Sequence, residues 1–391
     1  MDETIDYPII IAGGGLVGAL TALLIARQRR DWTIMILEPN VAGPAQDKRT
    51  LALAAATVAT LQKLGVWTQL AKHACAIEHI HVSDRGHLGM TRIHAHQHGV
   101  PAMGEVIGAA KLNQALYQAC LDEPNIHWCS DARFHSATPA DKHIAVTYQQ
   151  GDQTIHCTAQ LVVGADGQRS QVRQDVGIAM HTTDYQQFGV IATLQLAQSL
   201  NGWAYERFTD SGPLALLPLP NQQASLVWSL TPAAANDVMA LTDTDFIHAC
   251  QAAFGYRAGL FLKVTDRAQY PLQLHLAQTH IHQRRVIIGN ASHTLHPIAG
   301  QGFNLGVRDA ITLSEILVSA DDPGRYHYLG AYQQQRQQDY RRIIGLTDSL
   351  VRGFSNQYAP LVMGRNLALF GLDWCYPLRH RFARQTMGFQ G

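Results

Sequence analysis

Close to the start of the chain a short apolar run, Tyr7–Ile11, meets Gly13-Gly14-Gly15-Leu16-Val17-Gly18, and an Ala/Leu-rich stretch then continues to about Arg29. A second apolar run, Thr33–Leu37, ends at Glu38, twenty residues beyond Gly18. Strand, G-x-G-x-x-G turn, helix, strand and acid, in that order, confine this region to a βαβ unit of a parallel sheet that binds a dinucleotide. In such a unit Gly13 permits the tight turn and Gly15 lets a pyrophosphate approach the backbone. Gly18 lets helix and strand pack closely, and Glu38 accepts hydrogen bonds from ribose hydroxyls. The pattern does not by itself separate FAD from NAD.

Two later stretches have the same strand-to-loop character. Leu161–Val163 runs into Gly164-Ala165-Asp166-Gly167-Gln168-Arg169-Ser170. A carboxylate at the carboxyl end of a buried strand sits where open α/β sheets place ligands, although Asp166 would also serve simply to cap the following helix. The second stretch, Arg285–Asp309, passes from the apolar Val286–Ile288 through Gly289-Asn290 to a His/Pro/Gly-rich loop. An amphipathic helix begins near Gly302, and Gly300, Gly302 and Gly306 fall within seven positions around Asn304. Free N–H groups at such a helix start attract negative charge and allow a flat ligand to approach the main chain. Lying so far from the first glycine turn, this loop reads as the second half of a site for something long.

With 391 residues, 47% hydrophobic and 15% charged, the chain is globular and long enough for two or three domains. Formal net charge is zero and no Lys/Arg block occurs, which argues against nucleic acid as a partner. The six cysteines are scattered without a C-x-x-C pair, as expected of reduced thiols in a cytoplasmic protein without structural zinc. Pro8–Ala26 is uncharged, but its acidic flank and glycine interruption argue against export or membrane spanning. Membrane association, if any, is expected to be peripheral. The basic and apolar Arg379–Arg384 segment is a candidate for it, against the plainer reading of a solvated helix end.

Between the motifs, Arg49 stands at the mouth of an expected helix, Thr50–Leu64, placed either to reach a cofactor or to pair with Asp47. Ile77–Ser83 and Gly89–Ile93 read as a hairpin around Asp84-Arg85-Gly86. The alternating His94, His96 and His98 read as a surface feature rather than a metal site, having no carboxylate or Cys partner. From Gly177 to about Asp266 the texture changes to strands, Val190–Leu196, Trp203–Phe208, Leu214–Leu219 and Ser225–Leu230, followed by a helix, Asp243–Ala253. This predicts a mainly antiparallel second domain. Tyr328–Gly345 and Leu346–Leu372 have helical spacing. The expected boundaries are a dinucleotide domain in three pieces (1–75, 101–178 and 267–344) and a substrate domain in two (76–100 and 179–266), with helices over 345–391.

Together, Gly13–Gly18 with Glu38, Gly164–Arg173 and Gly289–Asp309 resemble the class A flavoprotein aromatic hydroxylases over essentially the whole chain. The His296–Gly306 segment with Asp309 is similar to the motif of the ubiquinone-biosynthesis hydroxylases. Glu206-Arg207-Phe208-Thr209, Gly212–Pro220, Thr347-Asp348-Ser349-Leu350 and Ala359–Asn366 resemble the 2-octaprenyl-6-methoxyphenol hydroxylase branch. The resemblance implies an α/β fold, in which a Rossmann-like FAD-binding domain is interleaved with a mainly antiparallel substrate domain, as in p-hydroxybenzoate hydroxylase. It implies FAD contacts at Gly13, Gly15, Gly18, Glu38, Arg49, Asp166, Asn290, Gly300, Gln301, Gly302 and Asn304, and so favours the cofactor as partner for Arg49. Asn290 replaces the family's usual Asp; an amide still bonds a ribityl hydroxyl, but without charge.

The implied reaction is ring hydroxylation of a polyprenylated phenol by O₂ and NADPH or NADH, through a flavin C4a-hydroperoxide. NAD(P)H would bind transiently, since only one dinucleotide fingerprint is present. Pro297 would face the substrate through its carbonyl, and His296, His293 and Tyr205 are the candidate bases. The competing readings are a sister hydroxylase acting at another ring carbon and a non-catalytic flavin-binding subunit working with other ubiquinone-biosynthesis proteins. A flavin halogenase would want a W-x-W-x-I-P segment, which is absent.

Overall fold

The computed structural model describes residues 5–44, 47–295 and 301–354, together with residues 364, 366, 370, 371 and 373–388 near the C-terminus. Strand Tyr7–Ala12 is apolar, and Ile9–Ala12 is buried, as befits the middle of a parallel sheet covered on both faces. It pairs in parallel with Ile34–Glu38 on one side and with Gln153–Gly164 on the other. The sheet extends through Ile126–Ser130 at one end, and through Arg285–Ile287 and Ile281–His282 at the other. Helix Leu16–Gln28 returns across it with Ala19, Leu20, Ala22, Leu23 and Ile25 buried, and helix Gln301–Leu317 packs beside it.

A second sheet of eight strands has the order 293–294, 261–277, 180–196, 223–230, 212–219, 203–209, 79–84, 90–94. It is antiparallel apart from the contact between Trp203–Thr209 and His79–Asp84. That parallel contact brings the expected hairpin to the edge of the sheet formed by residues far downstream. Helices Pro232–Ala240 and Asp243–Phe254 cover one face, where Phe246, Cys250 and Phe254 join the core made by Leu194, Leu214, Leu216 and Leu226.

Among the described residues, helix and strand assignments read from the sequence agree with the structure, with shifted ends, except at the alternating histidines, where Ala95–His98 forms a short helical turn, and at Thr50–Leu64. Thr50–Ala54 is a strand, paired with Gly104–Gly108 in a small three-stranded sheet, and only Ala55–Lys63 is helical. The Ala-rich run supports a helix locally, but backbone pairing with Gly104–Gly108 takes its first five residues. Expected helix Leu346–Leu372 lies largely outside the described residues; the helix before it runs Tyr326–Phe354.

The three glycine-bearing turns meet at one point. A Cβ on Gly13 would lie 2.5 Å from the Ala165 carbonyl oxygen, and Gly13 adopts a φ of +101° open to few other residues. A Cβ on Gly18 would lie 1.9 Å from the Gly13 carbonyl oxygen. Val17 sits against Gly289 and Gly306, where added Cβ atoms would come within 3.1 Å and 2.8 Å of its methyl groups. The first turn is therefore seated against the second through Gly13 and against the third through Val17. Gly18→Ala is expected to destabilise by about 3 kcal/mol or more, since neither backbone can give way. Gly345→Ala, in an exposed helical position with open space around it, is expected to stabilise by about 0.5–1 kcal/mol. Thermal unfolding of both variants checks the contrast.

Candidate active site

Where the two sheets face one another there is a cavity of about 1060 Å³. That is at the upper end of ordinary ligand pockets, roughly 300–1,000 Å³. One end is main chain and polar. Gly15, Leu16 and Val17 come from the first turn, Ala165, Gly167 and Gln168 from the second, and Gly289, Asn290, Gly302, Phe303 and Asn304 from the third. The other end is the uncovered face of the antiparallel sheet. Alternate residues of adjacent strands line it: Ile80 and Val82, Thr91 and Ile93, Ala204, Glu206 and Phe208, Ala215 and Leu217.

The glycines divide by role. Gly13 and Gly18 are required by packing, whereas added Cβ atoms on Gly15 and Gly302 would meet none of the described residues within 4 Å, and both glycines line the cavity. Gly15 caps helix Leu16–Gln28 without a side-chain hydrogen bond, and no acidic residue stands in its first turn. Its N–H groups and dipole are left for an anion. Asp166 accepts hydrogen bonds through Oδ2 from the backbone of Gln171 (2.6 Å) and Val172 (3.2 Å), so it does cap the next helix. Its Oδ1 is nevertheless buried with no partner among the described residues, and burial raises its pKa despite the hydrogen bonds it accepts. A buried unsatisfied oxygen beside the glycine turn fits a ligand hydroxyl.

Other expected cofactor residues are placed as follows. Glu38 is buried and accepts from Gly14 N (2.9 Å) and Asn40 N (3.1 Å), bracing the turn from behind the cavity wall. Arg49 lines the cavity and pairs with Asp47, the closest N–O distance being 2.6 Å. Asn290 is exposed on the wall. Asn304 is buried; its Oδ1 accepts from Ala54 N and Thr57 Oγ1, and its Nδ2 donates to Ala52 O. The Asn304 side chain thus staples the third turn to the Thr50 strand. Gln301 opens its helix, while Gly300, His296 and Pro297 lie outside the described residues.

Among the candidate bases, His293 is fully buried. Its Nδ1 lies 2.9 Å from Ser292 Oγ and 3.5 Å from Asp309 Oδ2, and burial lowers its pKa against the pull of Asp309. Tyr205 contributes to the cavity wall but packs its ring edge-on against Phe254, in the core on the opposite face of the sheet. The strand alternation instead turns its neighbour Glu206 toward the cavity, between Ala204 and Phe208. Burial pushes the Glu206 carboxyl up to about 7. Glu206 was visible in the sequence only as part of a resembling segment; the signal that would have singled it out is a carboxylate sharing a strand face with apolar residues.

A glycine turn on a parallel sheet, facing an antiparallel sheet across one cavity, is the layout of an FAD-dependent oxidoreductase. A family model described as FAD binding domain matches residues 6–346, and the chain belongs to that family. It is 34% identical to ubiquinone hydroxylase UbiL of Rhodospirillum rubrum over 97% of this chain and 89% of that protein. It is 30% identical to the 3-demethoxyubiquinol 3-hydroxylase of Escherichia coli, covering 97% and 98% of the two chains. It is also 30% identical to the human mitochondrial ubiquinone biosynthesis monooxygenase COQ6, covering 96% and 91%. The p-nitrophenol 4-monooxygenase PnpA of Pseudomonas putida shares the fold along the whole of both chains, with a TM-score of 0.82 at 16% identity.

Gly302→Val is expected to lower flavin retention on purification at least tenfold without lowering the melting temperature of the apoprotein, since its side chain enters open space. His293→Ala is expected to cost about 2 kcal/mol or more of stability and to retain flavin better. Absorbance at the flavin band against protein concentration, with apoprotein melting curves, checks both. Glu206 offers a separate test of burial. Its raised pKa stabilises the fold below the ordinary carboxylate range, and that contribution is lost as pH rises through about 7. Glu206→Gln is therefore expected to raise the melting temperature at pH 8 and to leave it nearly unchanged at pH 4.

Proposed function

We propose that this protein hydroxylates the ring of a polyprenylated phenol in ubiquinone biosynthesis, at the C1 position of a 2-octaprenyl-6-methoxyphenol-like substrate. The observation that carries the reading is the match to ubiquinone hydroxylases over nearly the full length of both chains. An apolar sheet face opposite the glycine turns suits a substrate with a greasy tail. The balanced reaction takes a ring C–H, O₂, NAD(P)H and a proton to a ring C–OH, water and NAD(P)⁺.

When bound, FAD supplies acceptance of hydride from NAD(P)H and activation of O₂. The protein's part is binding, orientation and exclusion of water. The N–H groups at Gly15 would hold the pyrophosphate, and Asp166 Oδ1 and Asn290 would take hydroxyls of the chain joining it to the ring system. The N–H groups that open helix Gln301–Leu317 would face negative charge at the ring end. Arg49 would complete this polar wall, and the sheet face would hold the phenol in a dry environment.

A second reading, attack at another ring carbon, is favoured by the Escherichia coli relative, whose name assigns it position 3. Among the described residues no helix is long and apolar enough to cross a membrane. Exposed Trp374, Tyr376 and Leu378, beside Arg379, Arg381 and Arg384, support peripheral contact with an anionic membrane surface on the cytoplasmic side.

Two measurements test the reading. NADPH or NADH oxidation with O₂ uptake by the FAD-loaded protein is expected to rise at least tenfold when a short-chain prenylated methoxyphenol is added. A strain lacking the gene is expected to accumulate a quinone precursor missing one ring hydroxyl, whose position decides between the carbons. Unstimulated oxidation together with normal quinone levels, in a strain without a paralogue, would end the proposal.

A further inference from the structure

Glu206 stands apart from every other acid in the cavity. Strand Trp203–Thr209 lies between Gly212–Leu219 and His79–Asp84, and the register sets Glu206 opposite Ala215 on one side and Val82 on the other. Around it on the same face are Ile80, Ala204, Phe208 and Leu217, with Thr91 and Ile93 on the next strand. The histidine and arginines of these strands, His81, Arg92 and Arg207, occupy the alternate positions and so point to the other face. The other lining groups that carry charge or titrate are Asp47, Lys48, Arg49, Tyr205, Asp266, Tyr270 and His275, the Tyr205 ring being packed against Phe254. Asp47 is paired with Arg49, and Asp266 is exposed. Glu206 is half-buried, with neither a hydrogen bond nor an ion pair among the described residues, and its loss of solvent raises its pKa.

An acid with no protein partner in an apolar floor is costly to ionise once the cavity is closed to water. Any leucine or glutamine would serve the packing better. The group it can meet is one brought in by the substrate. Resting on the phenol reading above, we propose that Glu206 is a catalytic residue that accepts a hydrogen bond from the ring hydroxyl of the substrate and takes its proton as the ring is hydroxylated. The phenolic O–H bond breaks and a bond from that proton to a Glu206 oxygen forms. The electron pair left on the ring oxygen raises electron density at the ortho and para carbons, where the oxygen atom derived from O₂ is added. The attacked carbon then loses its own proton to the second oxygen atom of O₂, which leaves as water, so that the ring becomes aromatic again, and Glu206 returns its proton to the phenolate oxygen. Glu206 ends as it began, and NAD(P)H and O₂ supply the electrons and the oxygen.

A carboxyl that titrates near neutrality is matched to this exchange at physiological pH, and positioned proton transfer typically contributes roughly 10²–10⁴-fold in rate. The same placement orients the substrate, with its hydroxyl at Glu206 and its tail along the sheet.

The test uses FAD-loaded wild type, Glu206→Gln and Glu206→Asp with a short-chain prenylated methoxyphenol and its ring-fluorinated analogue, whose hydroxyl is more acidic. Coupled product formation is followed from pH 5.5 to 9. Wild-type kcat/KM is expected to rise with pH through a limb near neutrality. Glu206→Gln is expected to retain flavin, to lose that limb and to be slowed at least tenfold, with the deficit narrowed on the fluorinated phenol. Glu206→Asp is expected to keep the limb at reduced rate. A Glu206→Gln profile superimposable on wild type, or a deficit equal on both phenols, would overturn the assignment and leave the phenol reading standing. If Glu206→Gln fails to load flavin, the Glu206→Asp profile decides: loss of the limb with the carboxyl still present would overturn the assignment. No phenol-stimulated oxidation by wild type at any pH would overturn the phenol reading itself, and this assignment with it.

Discussion

The buried carboxylate of Asp309 is the point on which the polar end of the cavity depends. Its Oδ2 accepts the Gly289 N–H at 2.9 Å, which fixes the turn leaving strand Arg285–Ile287. Its Oδ1 accepts from Arg336 Nε at 2.7 Å and from Tyr340 Oη at 2.6 Å, both on helix Tyr326–Phe354. All of these groups are essentially inaccessible to solvent. A lone charge could not remain there; Asp309 is held by the opposite charge of Arg336, which in turn bonds Asp339, itself paired with Arg308. Through one residue, helix Gln301–Leu317 is tied to the turn before it and to the helix after it. The position of Gly302 and Phe303 in the cavity wall follows from that anchoring.

His293 acquires its meaning from the same network. A histidine within a loop rich in glycine invites a catalytic role, yet burial lowers its pKa and its ring packs on Tyr340 with centroids 5.1 Å apart. His280, also buried against Tyr340 and held at about 4, completes the same packed group. These are neutral rings filling space around an ion pair. The described main chain of the third turn is held instead by Asp309, through the Gly289 N–H, and by the Asn304 staple.

The parallel sheet could be read from the sequence because each of its strands is a continuous apolar run ending in a turn that only particular residues permit. Gly13, Gly18, Glu38 and Asp166 carried that information locally. The misassigned start of Thr50–Leu64 shows the limit of such reading: whether Thr50–Ala54 is helix or strand is decided by Gly104–Gly108, fifty residues away. The Asp309 network escaped for a related reason. Arg336 lies in a helix crowded with Gln and Arg, and nothing in its neighbours in sequence distinguishes a solvated arginine from one 1% exposed against a carboxylate. Glu206 and Tyr205 were a matter of phase. A strand presents alternate residues to opposite faces, so the residue that meets the cavity depends on which face helix Asp243–Phe254 covers, and sequence alone does not state that.

The two ends of the cavity solve opposite problems. At the glycine end, the N–H groups of the turns cannot be protonated or withdrawn, so their share of the field is constant over pH, with Asp166 and Arg49 added beside them. At the sheet end the surface is apolar, and Glu206 there is poised between charged and neutral forms. A bound flavin needs the first kind of environment, because its ring and phosphates must be held in the same way throughout a cycle. A phenol whose ring must be more electron-rich during attack than before or after it would need the second. Exchanging the two would fail physically: a titrating group beneath the pyrophosphate would loosen the cofactor at one end of the pH range, and fixed dipoles around the phenol could polarise its hydroxyl but not take its proton.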